Sequence, residues 1–264
     1  MSDLYTLTRG HAPLLISIPH LGTYIPDALR NQYTEAALTV ADTDWHLDRL
    51  YAFAVDLGAT ILAARVSRYV VDLNRPSSDE NLYPGLATTG LCPDVTFRGE
   101  PVYRDGYRPD AAERERRIET YWRPYHQAIQ TELSRLRKNY ANVLLWEAHS
   151  IASVLPRLFE GTLPDLNIGT QDGRTAAETV LQATVNAARG SNYTWVANGR
   201  FKGGFITRHF GAPHDGIHAV QLEMRQNTYM DETSPFSFVA ERAKAIEPTL
   251  QAMVSRALDA VVAL

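Results

Sequence analysis

Short apolar runs alternate along the chain with segments of helical period, the pattern of an α/β protein. Leu14-Leu15-Ile16-Ser17-Ile18 reads as a buried strand stopped by Pro19-His20. From Asp44 to Leu57 apolar residues recur at helical spacing (Leu47, Leu50, Phe53, Ala54, Leu57), with Gly58 as the C-cap. Thr60 to Ala63 and Tyr69 to Asp72 read as strands. Asn74 to Pro109 is rich in Pro, Gly, Ser and Asp and too long for a plain connection, which predicts a functional excursion with a hairpin. Pro109-Asp110 opens a helix running toward Lys138, kinked at Pro124. Asn142 to Glu147 is a further buried strand, ending at Ala148-His149-Ser150. Ile151 to Thr170 reads as loop, Asp172 caps a helix reaching Arg189, and Tyr193 to Val196 is a short strand. After the Gly-rich turn Asn198 to Gly204 comes a short helical piece, then the strand Ala219 to Met224. Ser234-Pro235 fits the N-cap and N1 of a final helix, which Pro248 breaks or bends.

Composition adds limits. With 264 residues, 45% hydrophobic and 21% charged, the chain can bury one sizeable core without staples, so one domain over 1–264 is expected. A net charge of -4 argues against a nucleic-acid binder. No apolar run approaches the roughly 18 residues needed to cross a bilayer. Met1-Ser2-Asp3-Leu4 lacks the basic and apolar regions of a signal peptide. The expectation is a cytoplasmic protein with a small-molecule partner, and neither nucleic acid nor membrane. A single cysteine, Cys92, excludes an intrachain disulfide and a Cys-based zinc finger. A metal would have to be held by some of the 8 histidines and by carboxylates.

Polar residues gather at predicted strand ends, where open α/β sheets bind ligands. His20 and His149 can meet there: Ile16, Ile18 and His20 share one alternation, and Leu145, Glu147 and His149 another. Two histidines and a carboxylate form a common catalytic zinc set with a position left for water. The same histidines can equally hydrogen-bond a loop. Asp42, Asp44 and Asp48 are candidates for the carboxylate, but Asp at a helix start is also an ordinary cap. Asn74-Arg75 can bind a carboxylate in bidentate fashion, or pair with the chain's own acids. The stretch Asn198 to His209 carries Arg200, Lys202 and Arg208 among glycines, as an anion site or a solvated turn. Glu223 sits inside an apolar strand, where desolvation would raise its pKa and suit it to general-base work, unless it faces solvent or a buried cation. There is no G-x-S-x-G elbow, and Cys92 has no evident base partner.

Several blocks in order resemble the N-formylglutamate amidohydrolase family: LLISIPHLGTYIP from Leu14, DTDWHLDRLY from Asp42, VDLNRP from Val71 and EAHSI from Glu147. LPDLNIGT from Leu163, NGRFKGGFITRH from Asn198 and AVQLE from Ala219 complete the set. The resemblance implies a central mixed sheet flanked by helices, similar to the zinc carboxypeptidase-like hydrolases, one zinc per chain, and release of formate from a small dicarboxylate. It further implies His20 and His149 as zinc ligands, Asn74 and Arg75 as binders of a substrate carboxylate, and Glu223 as general base. Lys202 and Arg208 are then further substrate cations, Arg68 a residue able to face the site, and Glu147 a support for a ligand histidine. Carboxypeptidases place the acidic ligand three residues after the first histidine, but here that position is Thr23, so Asp44, then Asp42, is expected instead. The alternatives are the same machinery acting on another N-acyl amino acid or small peptide, or a non-catalytic dicarboxylate-binding protein.

Overall fold

The computed structural model describes residues 4–264. Among these residues seven strands form one mixed sheet in the order β1-β3-β2-β4-β7-β5-β6. They are β1 (Tyr5–Thr8), β2 (Leu14–Ile18), β3 (Thr60–Ala64), β4 (Val143–Ile151), β5 (Leu166–Gly169), β6 (Trp195–Ala197) and β7 (Ile217–Arg225). The central strands β3, β2, β4 and β7 run parallel, while β1 and β5 join antiparallel. The helices are α1 (Asp27–Arg30), α2 (Glu35–Leu38), α3 (Leu47–Leu50), α4 (Ala111–Arg117), α5 (Arg123–Arg137), α6 (Glu178–Arg189), α7 (Phe205–Phe210) and α8 (Ala240–Val262).

Strand alternation divides the core. Ile16, Trp146 and Val220 lie in the cluster that includes the buried faces of α6 and α8. Leu15, Leu145 and Ala219 lie in the cluster shared with α5 and α7. Both sheet faces are covered, so the central strands are apolar almost throughout.

Several elements depart from the sequence pattern. The helix expected over 44–57 is reduced to α3 and a 3-10 turn, Ala52–Val55, because His46 adopts a left-handed φ of 61°. Tyr69 to Asp72 is no strand. Its carbonyls are claimed by side chains: the hydroxyls of Tyr33 and Tyr103 donate to Tyr69 O, and the fully buried Arg117 donates to Val70 O. The segment is thereby fixed without a neighbouring strand. Replacing Arg117 with Met is expected to lower stability by about 3–5 kcal/mol, since a buried polar network loses its hub. Chemical denaturation would check this, and a loss within error would show the segment is held otherwise.

The long helix predicted to Lys138 passes through a π-helical turn, Ile118–Trp122, just ahead of Pro124, where the regular α-helical bonding that a proline cannot complete gives way. Asp110 is its N-cap, accepting from Glu113 N. The stretch read as loop after Ile151 contains β5, whose four residues carry too little pattern to stand out. Asp172 does not cap a helix: its φ is 56°, and α6 begins only at Glu178. Ser234-Pro235 lies in a turn ahead of α8, and Pro248 sits inside that helix without ending it. The excursion from Asn74 has one internal antiparallel bridge, Val95 to Pro101, and a second from Tyr103 to Tyr33, in place of a full hairpin.

Candidate active site

The parallel strands β2, β4 and β7 end at one edge of the sheet, and the site is built there. His149 and Glu223 are register partners on β4 and β7. His20 arrives by a different route from the one its alternation suggests. In register, an extended β2 would put residue 20 on the Trp146 face, opposite His149. The strand stops at Ile18, and the turn at Pro19-His20 swings the imidazole over the sheet edge. The two rings then lie 4.9 Å apart, centroid to centroid. Asp44 is tied to the same turn, its backbone N–H donating to His20 O at 2.9 Å.

His20, Asp44 and His149 are all buried, and one ligand atom from each lies within 4.8 Å of the others. Asp44 Oδ2 is 2.9 Å from His149 Nδ1 and 3.7 Å from His20 Nδ1. The other ring nitrogens are engaged elsewhere. His20 donates from Nε2 to Asp72 Oδ1 at 2.7 Å. His149 Nε2 lies 3.2 Å from Glu147 Oε1 and 3.0 Å from Asn74 Nδ2. Such outer contacts fix the ring orientations and leave Nδ1 of each histidine turned toward Asp44 Oδ2. Two imidazoles and one carboxylate in a buried cluster suit a divalent ion such as zinc. Asp42 takes no part in this cluster; it accepts from Phe97 N at 2.7 Å.

The charges around this point are arranged in layers. Burial, then the Arg68 guanidinium, lower the pKa of His20 and favour the neutral ligand form. Asp72 resists the cost of burial because His20, Arg68 and Arg75 hold its carboxyl well below the usual range. Burial opposes protonation of His149, but the hydrogen bond to Asp44 and the nearby Glu147 carboxylate push it well above an ordinary imidazole. Without an ion, a proton on His149 takes the place of the cation between those acids. Glu223 is pushed up to about 8, first by burial, with Asp44 and Glu147 adding to the shift against His149 and Arg68.

Above the cluster opens a cleft lined by Arg68, Arg75, Arg200, Gln221 and Glu223, with Phe97, Leu158 and Phe201 as an apolar wall. Asn74 is locked in place, its Oδ1 accepting from Ile206 N. Gly204 allows this: a Cβ there would come within 2.2 Å of the Asn74 amide. Gly204 N also donates to Gln221 Oε1 at 2.7 Å.

The sequence-derived residues divide accordingly. His20, Asp44, Asn74, Arg75, His149 and Glu223 converge. Lys202 and Arg208 stand outside the cleft lining. Lys202 Nζ pairs with Asp172 at 3.0 Å, and Arg208 donates to Gly203 O and Leu82 O while packing 4.7 Å over the Tyr83 ring. Arg200, from the same Gly-rich segment, faces the cleft instead. Asp72 and Gln221 were not reached by sequence reasoning, and only the polar ending of the VDLNRP block hinted at Asp72. Cys92 is buried and burial pushes its thiol up to about 11, which leaves it without nucleophilic character.

A family model described as N-formylglutamate amidohydrolase matches residues 12–230. An N-formylglutamate deformylase from Pseudomonas aeruginosa is 50% identical over 261 residues, covering 98% of this chain and 97% of that protein. One from Pseudomonas putida is 47% identical over 259 residues, with 98% and 97% covered. The crystal structure of an N-formylglutamate amidohydrolase from Ralstonia eutropha JMP134 superposes with a TM-score of 0.82 at 26% identity, over 97% of this chain and 98% of that one.

Proposed function

The chain belongs to the N-formylglutamate amidohydrolase family, and from that premise we propose that it hydrolyses N-formyl-L-glutamate to formate and L-glutamate, as the last step of a histidine degradation route. The observation that carries this is the convergence of His20, Asp44 and His149 beneath Glu223, in a cleft lined by guanidinium groups. We take the metal to be zinc, one per chain, held by those three residues.

Bound there, a divalent ion would supply Lewis-acid polarisation of the formyl oxygen and acidify a water. Glu223, as carboxylate, takes a proton from the water that attacks the formyl carbon. It returns that proton to the amide nitrogen as the C–N bond breaks, so formate and the free amine leave. Arg68, with one guanidinium nitrogen 3.3 Å from His20 Nδ1 and another 2.7 Å from Asp72, would stabilise the oxygen that gains charge. Asn74 and Arg75 hold a carboxylate of the substrate. Asp72 and Glu147 keep the ligand histidines aimed.

The test is formate release from N-formyl-L-glutamate by chelator-treated protein before and after zinc is restored. Activity should vanish with the metal and return with it. Full turnover in metal-free protein would reject the metal-dependent reading, and no turnover in zinc-loaded protein would reject the substrate.

A further inference from the structure

We propose that Arg200 is the receptor for the substrate's side-chain carboxylate, so that Arg75 and Arg200 together select a dianion; this deepens the deformylase reading and rests on it. Both guanidiniums line the cleft, and among the described residues neither has a carboxylate at ion-pair distance. Arg68, by contrast, is paired with Asp72. Backbone carbonyls hold the two instead. Arg75 donates to Thr89 O and Asn74 O, at 2.8 and 3.0 Å. Arg200 donates to Leu158 O and Ala87 O, at 3.1 and 3.0 Å. Carbonyls fix the direction of a guanidinium without neutralising its charge.

The arrangement is costly in the absence of an anion. Arg200 is held below the usual arginine range first by burial and then by repulsion from Arg75. An incoming dicarboxylate offsets the repulsion between the two cations and gains two charge-assisted contacts. The two cations share one short anchoring stretch, Arg75 donating to Thr89 O and Arg200 to Ala87 O two residues before it, and both line the same cleft. The order follows from the neighbours. Arg75 adjoins Asn74, which touches His149, so it takes the carboxylate beside the scissile amide. Arg200 stands against Leu158 and Phe201, on the wall a side chain would reach.

Steady-state kinetics of metal-loaded wild type and Arg200→Gln on N-formyl-L-glutamate and its neutral isostere N-formyl-L-glutamine test this. For the acid, kcat/KM should fall about 100-fold, chiefly through KM. For the amide it should change by less than about threefold, which also shows that the variant folds. Equal losses on both substrates, or an undiminished preference for the acid, would overturn the assignment. Calorimetry with glutarate separates the receptor from the reaction. Glutarate binding that weakens in Arg200→Gln supports the receptor even where wild type leaves N-formyl-L-glutamate intact, an outcome that rejects only the deformylase reading. Unchanged glutarate binding in the variant overturns the receptor whatever the activity.

Discussion

Glu223→Gln is expected to yield a folded, metal-loaded protein whose kcat for N-formyl-L-glutamate is about 10²–10⁴-fold below wild type, the range a general acid–base residue supplies. The amide is close in shape to the carboxylate but cannot accept the proton of the attacking water. Glu223 stands outside the three-residue ligand cluster, so metal content should stay near that of wild type. KM should change little, because a base acting on the water does not touch the substrate's anionic ends. Rapid-quench turnover with metal analysis on the same sample checks both halves. Retained kcat would remove Glu223 from the base role, and lost metal would make it a ligand.

The same residue sets a pH dependence. A base must be ionised to work, so the rate should rise with pH as Glu223 loses its proton. Burial pushes that carboxyl up to about 8 in the absence of an ion. A divalent cation on the neighbouring ligands favours the carboxylate, so the acid limb of kcat/KM for loaded enzyme should lie below 8. Glu223→Gln should abolish that limb along with most of the rate.

Much of this centre was legible in the sequence for a physical reason. His149 and Glu223 are polar residues inside apolar strands, where their burial demands a partner or a task. His20 stood out because a proline stops its strand just before it. Asp44 was separable from Asp42 only by the fold, since both are buried and two residues apart. The left-handed turns at Val40 and His46 bound the segment that points one at the histidines and lets the other meet Phe97 N. Which of three nearby cations faces the cleft was likewise hidden. Arg200, Lys202 and Arg208 share one Gly-rich stretch, and its path depends on a positive φ at Asn198 and at Gly203. The strand read at Tyr69 to Asp72 failed because its partners are side chains distant in sequence. They fix the backbone just ahead of Asp72, whose carboxylate is then held by His20, Arg68 and the Asn74 N–H.

His149→Ala should abolish turnover and empty the metal site together. The substitution removes one of the three proposed ligands, and it also strands the groups that surrounded it. Asp44 Oδ2 loses its partner at 2.9 Å and keeps, among the described residues, the more distant His20 Nδ1 at 3.7 Å. Glu147 Oε1 loses the nitrogen 3.2 Å away, and the Asn74 amide loses the one at 3.0 Å. Disturbing outer contacts alone typically costs about 10–100-fold in metal affinity, and a missing ligand should cost more. Metal analysis after dialysis should therefore fall from near one ion per chain to near none, with activity lost in proportion. His126→Ala is the matched control. That histidine is also buried, but its Nε2 donates to Leu73 O and its ring stacks 3.8 Å from Trp122. Its loss should lower thermal stability while leaving metal content and kcat near wild type. A His149→Ala protein that kept its metal and its turnover would remove that residue from the centre, and with it the ligand set drawn around Asp44.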